Sequence, residues 1–109
     1  MGKAIEKIAI SKKYKIHSIV NCQSDLKKID LSTADIGIEF TNPKTAFENI
    51  SYCLKSNLPV VSGSTGWLAE LKTIQKICEK HNGSFLHSSN FSLSMNKFLN
   101  VSKRLARDL

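Results

Sequence analysis

No stretch of this chain stays apolar for the roughly 20 residues that a membrane-spanning helix needs. No positive segment followed by an apolar one marks a secretory signal. A cytoplasmic protein is the expectation left. Cysteine is scarce: Cys22, Cys53 and Cys78 are odd in number and widely spaced, which excludes a disulfide framework and a zinc pattern. Cys53 and Cys78 fall among apolar helix positions, where a thiol behaves as a small hydrophobe. His17, His81 and His87 share no ligand spacing with one another or with the cysteines, so no metal site is expected. Arginine is nearly missing, with only Arg104 and Arg107 close to the end. The net charge is +7, yet the lysines are scattered and no aromatic residues alternate with them. Nucleic acid is therefore not the expected partner, and solvated helix faces account for most of the charge.

What is present suits one globular domain. The chain has 109 residues, of which 41% are hydrophobic. Residues 3–11 carry Ala4, Ile5, Ile8 and Ala9 at helical spacing. Residues 16–20 alternate with branched side chains and predict a short strand. Residues 21–33 are polar and irregular. Ile36, Ile38 and Phe40 alternate, which predicts a strand over 35–40. Asn42 is a good helix cap and Pro43 suits the first helical position. Ala46, Phe47, Ile50, Cys53 and Leu54 then form one apolar face. A strand is expected over 58–61, with Pro59 near its start. Leu68, Leu71, Ile74, Ile77 and Cys78 mark a further helix, which Gly83 is placed to stop. Residues 85–87 predict a strand. Ser92 can cap a last helix with Met95, Phe98, Leu99, Ser102, Leu105 and Ala106 turned inward. Strands alternating with helices predict an α/β fold with a parallel sheet covered by helices.

In open parallel sheets, ligands bind beyond the carboxyl ends of the strands. Three predicted strand ends share one character. Phe40 leads into Thr41, Asn42 and Pro43. Val61 leads into Ser62, Gly63, Ser64, Thr65 and Gly66. His87 leads into Ser88, Ser89, Asn90, Phe91 and Ser92. Glycine lets a ligand approach the backbone, and free N–H groups with hydroxyls at a helix start favour anionic oxygens. The same residue types are also ordinary caps and turn formers. A nucleotide cleft and a set of well-capped helices are both compatible with them.

The segments IEFTNP at 38–43, PVVSGSTGW at 59–67 and SSNFSLSMN at 88–96 resemble, in order and spacing, motifs of the 4-hydroxy-tetrahydrodipicolinate reductases (dihydrodipicolinate reductases) of lysine biosynthesis. The resemblance implies a Rossmann-like parallel sheet with helices on both faces. It implies NADH or NADPH as the cofactor and a cyclic imine dicarboxylate as the substrate of an oxidoreductase. It places cofactor-binding residues at Gly63, Ser64 and Thr65, at Phe40 and Thr41, and at Ser88, Ser89, Asn90 and Phe91 beside the nicotinamide. Met1 and Gly2 match the end of the family's glycine-rich loop. Asn21 matches the family's ribose-binding acid, and its neutrality would repel a 2′-phosphate less. Ser64 and Ser94 stand where the family usually has Thr and Gly.

The resemblance further implies that residues 1–109 are one dinucleotide-binding domain without its first strand. The family's catalytic motif and homotetramer-forming domain would lie beyond the chain, so no catalytic residue is assigned to it. The missing strand would belong between 16–20 and 35–40, leaving a gap of about 10 Å, twice the strand spacing. The chain alone is then expected to fold poorly or to distort its cleft. A non-catalytic nucleotide-binding or regulatory module is the alternative reading.

Overall fold

The computed structural model describes residues 1–21 and 23–108, and only the backbone of Gln23 and Ser24. Cys22 and Leu109 lie outside the described residues, and with Cys22 its part in the reading of the three cysteines as neither a disulfide framework nor a zinc pattern. Helix α1 (Gly2–Ser11) opens the chain and a one-turn helix α2 (Gln23–Leu26) follows. A 3₁₀ turn (Leu31–Thr33) then leads to strand β1 (Gly37–Glu39). Asp30 starts that turn by accepting from the backbone N–H of Ser32 at 3.0 Å and its hydroxyl at 2.6 Å. Those bonds hold its carboxyl below the usual range.

Helix α3 (Pro43–Lys55) begins as its sequence dictates. The Asn42 side chain accepts from the backbone N–H groups of Lys44 at 3.0 Å and Thr45 at 3.2 Å. Pro43 occupies the first turn, where no N–H partner is needed. Strand β2 (Val60–Ser62), a 3₁₀ turn (Leu68–Glu70) and helix α4 (Leu71–Lys80) follow, then strand β3 (Phe85–His87) and helix α5 (Leu93–Asp108). The three strands are parallel in the order β1-β2-β3. Gly37, Val60 and Phe85 stand side by side, then Ile38, Val61 and Leu86, then Glu39, Ser62 and His87. This is a parallel α/β sheet of Rossmann-like type.

The core lies between the sheet and α3 with α4. Ala46, Ile50, Cys53 and Leu54 of α3 meet Leu58, Val60, Trp67 and Ile74. Gly37 permits this approach, because a Cβ there would sit 3.2 Å from the Leu58 side chain. On the other face Ile38 is 52% exposed and Leu86 57% exposed. Helices α1 and α5 bury no residue among those described.

Several expectations need correction. Residues 16–20 form no strand. A strand exists only through the ladder it makes with a neighbour. Here His17 bonds to Ser18 and Thr33 through side chains instead, and Ile19 is exposed. The 21–33 segment is less irregular than expected, since it holds α2 and the first 3₁₀ turn. The inward side expected of α5 is open to solvent: Met95, Phe98, Leu99 and Leu105 are exposed and Ser102 is half-buried. Helical spacing gives a helix an apolar side without supplying anything to cover it. Gly83 does not take the left-handed turn after α4. Asn82 does, with φ 48°, as asparagine tolerates that region better than most residues. Gly83 instead lies close to Leu54, where a Cβ would come within 3.2 Å.

Burial of Cys53, with Glu39 nearby, pushes its thiol pKa from 9.0 up to about 11. The neutral thiol is the form the fold accepts, so its folded pKa exceeds the unfolded one. Stability is therefore intact below about pH 9 and lost as pH rises through about 11. The full loss corresponds to about 3 kcal/mol. Urea unfolding of the wild type and Cys53→Ala should show this slope between those pH values only in the wild type. Identical slopes in the two proteins would remove Cys53 as its source.

Candidate functional site

Parallel strands deliver their carboxyl ends to one edge, and the register aligns Glu39, Ser62 and His87 there. The loops 40–42, 63–67 and 88–92 therefore converge, as the strand-end pattern anticipates. Phe40 joins two of them. Its ring lies 6.4 Å from that of Phe91, and it covers Gly63, where a Cβ would fall 2.0 Å from the ring. Gly66 takes φ +79° and turns against Pro43. Both glycines are thus required by contacts within the chain. Trp67 is buried, packs edge-on against Phe85 and His87, and donates its Nε1–H to the Ser64 carbonyl at 2.9 Å. His87 Nε2 meets the same carbonyl at 3.0 Å.

A residue the strand-end pattern does not single out lies at the centre. Glu39 is 6% exposed. Its Oε1 accepts from the Thr41 backbone N–H at 2.9 Å, the Thr41 hydroxyl at 2.5 Å and the Ser64 hydroxyl at 2.6 Å. Its Oε2 accepts from the Ser62 hydroxyl at 2.5 Å. Among the described residues no cation pairs with it. A buried carboxyl group is tolerated inside a protein only when its oxygens are satisfied in this way. The sequence signal was an acid inside an otherwise apolar strand; the structure pairs it with Ser62 of the next strand and with Ser64 of the loop that follows.

The twelve residues singled out by the resemblance fall into three groups. Thr41, Ser64, Ser88 and Asn90 have side chains bonded within the chain. Ser88 Oγ donates to the Asn90 carbonyl at 2.8 Å, and Asn90 Oδ1 accepts from the Ser92 N–H at 2.8 Å. Capping accounts for these two, as the turn-forming reading of the same residues has it. Phe40, Gly63, Thr65, Ser89 and Phe91 surround the edge. Among the described residues no acceptor faces the backbone N–H of Thr65 or Gly66, or the hydroxyls of Thr65 and Ser89. Met1, Gly2 and Asn21 form the third group. All three are exposed, and no hydrogen bond ties them to the loops.

These features suit one part of a dinucleotide. Unclaimed N–H and O–H donors at a glycine-containing bend face acceptor oxygens well. Two phenyl rings beside them offer apolar surface to a flat heterocycle.

A family model described as dihydrodipicolinate reductase, N-terminus, matches residues 1–91. The chain belongs to this family. A 4-hydroxy-tetrahydrodipicolinate reductase of Christiangramia forsetii is 40% identical over 108 residues, covering 97% of this chain and 44% of that protein. The protein of the same name from Limosilactobacillus fermentum is 28% identical over 85% of this chain and 36% of its own length. That from Pseudoalteromonas atlantica is 31% identical over 77% of this chain and 31% of its own. The chain thus spans less than half the length of these curated relatives. No solved structure gives a significant match.

Proposed function

We infer that the edge formed by loops 40–42, 63–67 and 88–92 holds NADH or NADPH. The chain then serves as the cofactor-binding part of a reductase acting on a cyclic imine dicarboxylate. The observation that carries this reading is the bend at 63–66, with its unclaimed donors, placed at the carboxyl edge beside Phe40 and Phe91. Family membership supports it. The nicotinamide supplies the hydride, and the protein supplies placement and electrostatics. The Thr65 and Gly66 N–H groups and the Thr65 and Ser89 hydroxyls would bind acceptor oxygens. Phe40 and Phe91 would exclude water from one side of the ring. No proton donor for the reduction is assigned to this chain. The whole protein is read as a cytoplasmic homotetramer whose remaining part binds substrate.

Asn21 carries the choice between the two cofactors in this reading. It is exposed and neutral, directly after residues 16–20. A carboxylate there would repel a 2′-phosphate by Coulomb interaction. Calorimetric titration of the chain, completed by the strand and glycine-rich loop that the resemblance places before Met1, should give comparable affinities for NADH and NADPH. Asn21→Asp should weaken NADPH relative to NADH by about tenfold. Absence of binding by either nucleotide defeats the reading; an unchanged ratio in the variant moves the ribose away from Asn21.

A further inference from the structure

We propose that Glu39 is a positioning residue that sets the hydrogen-bond polarity of the nucleotide edge, making Thr41 an acceptor for uncharged donor groups and closing this corner to phosphate. The proposal rests on the dinucleotide reading above.

A hydroxyl has one proton and two lone pairs. The protons of Thr41, Ser62 and Ser64 all point to the Glu39 carboxylate, at 2.5, 2.5 and 2.6 Å. The Thr41 backbone N–H is shared between that carboxylate at 2.9 Å and Ser64 Oγ at 2.8 Å. Thr45 donates to Thr41 Oγ1 at 3.1 Å, extending a chain that runs inward to Glu39. Such chains polarise each member in the same direction. Thr41 itself is exposed. Its side chain therefore has no proton to offer a ligand, only a lone pair. Behind it stands a carboxyl group that, among the described residues, no cation pairs with. A phosphate needs donors, and the Thr41 hydroxyl proton and backbone N–H are both already taken. A ribose hydroxyl or a carboxamide amine brings the proton that Thr41 lacks. The unclaimed N–H groups at Thr65 and Gly66 lie in the neighbouring loop and serve the acceptor oxygens. One acid thus divides the edge into an accepting corner and a donating bend.

The test compares the wild-type chain, completed by the strand and glycine-rich loop that the resemblance places before Met1, with its Glu39→Leu, Glu39→Gln and Thr41→Val variants. Its readouts are NADH titration and the Thr41 amide resonance in the presence of inorganic phosphate. Glu39→Leu should weaken NADH binding by at least about tenfold. Glu39→Gln should recover most of that loss. Its amide oxygen can keep the three donors at Oε1 while its NH₂ turns to Ser62 Oγ. A residue that merely filled space would not be rescued by polarity in this way. Thr41→Val leaves Glu39 and its other donors in place and should also cost about tenfold. Phosphate should leave the Thr41 resonance unmoved in the wild type and shift it in Glu39→Leu. If Glu39→Leu or Thr41→Val binds NADH like the wild type, or if phosphate shifts Thr41 in the wild type, the proposal falls and the dinucleotide reading survives. If the wild type binds no NADH, the dinucleotide reading fails and the proposal goes with it.

Discussion

Gly63→Val is expected to weaken NADH binding by well over tenfold, more than about 1.4 kcal/mol, and to lower stability as well. A Cβ at residue 63 would lie 2.0, 2.2 and 2.8 Å from three atoms of the Phe40 ring. Contacts that short are impossible, so the ring must leave. The ring bridges the 63–67 loop to Phe91, 6.4 Å away, and its departure separates the loops that form the nucleotide edge. Overpacking of this kind costs about 1–3 kcal/mol. Calorimetry would give the affinity and a thermal melt the stability. A variant that binds NADH normally while melting earlier would show that Phe40 supports the fold but not the site. Phe40→Ala in the Gly63→Val background then becomes informative. Removing the ring should relieve the collision and restore part of the stability, while leaving binding weak.

Ile50→Ala should produce the largest change in stability, about 2–5 kcal/mol. Ile50 has no exposed surface and sits in the cluster where α3 meets Val60, Trp67 and Ile74. Its neighbours belong to three different elements and cannot all collapse into the vacated space. Domains of this size have only about 5–15 kcal/mol in total, so much of the stability would go. The midpoint of thermal unfolding should fall by at least about 10 °C. Leu99→Ala provides the contrast. Leu99 is exposed on α5, and its loss should stay within about 0.5 kcal/mol. Equal effects from the two substitutions would mean that α5 is covered in solution and that the core extends beyond the α3 side of the sheet.

Much of this architecture was legible in local chemistry. Asn42 and Pro43 announce the start of α3, and the capping bonds are there. The spacing of Ala46, Ile50, Cys53 and Leu54 names the buried side of that helix, because a 3.6-residue period admits one such side. Residues 85–87 form a strand as their pattern predicts. The convergence of the three small-residue loops also follows from order alone, since parallel strands must place their carboxyl ends together. The motifs at 38–43, 59–67 and 88–96 pointed to the family that the comparisons establish.

Other features depend on partners distant in the chain, and no local pattern holds that information. Alternation marks the segment around Ile38 as a strand, and the usual rule turns its apolar side to the core. The fold turns the other side inward. Gly37 lets Leu58 and Cys53 approach, and α3 therefore packs on the Gly37 and Glu39 side, leaving Ile38 exposed. That inversion buries an acid, which is tolerable only because Ser62 and Ser64, more than twenty residues away, supply protons to it. The segment at 16–20 shows the opposite outcome. Its side chains favour a strand, yet strand structure needs a ladder, and its nearest bonded neighbour is the Thr33 hydroxyl. By itself the sequence determined the four longer helices, the Asn42 cap and the edge to which the strands lead, because these rest on contacts within a few residues or on chain order. Only the tertiary structure decided which face of β1 is buried and where the hydroxyl protons of Thr41 and Ser64 point, because the first depends on the approach of Leu58 and Cys53 to Gly37 and the second on a carboxyl group shared by residues 41 and 62–64.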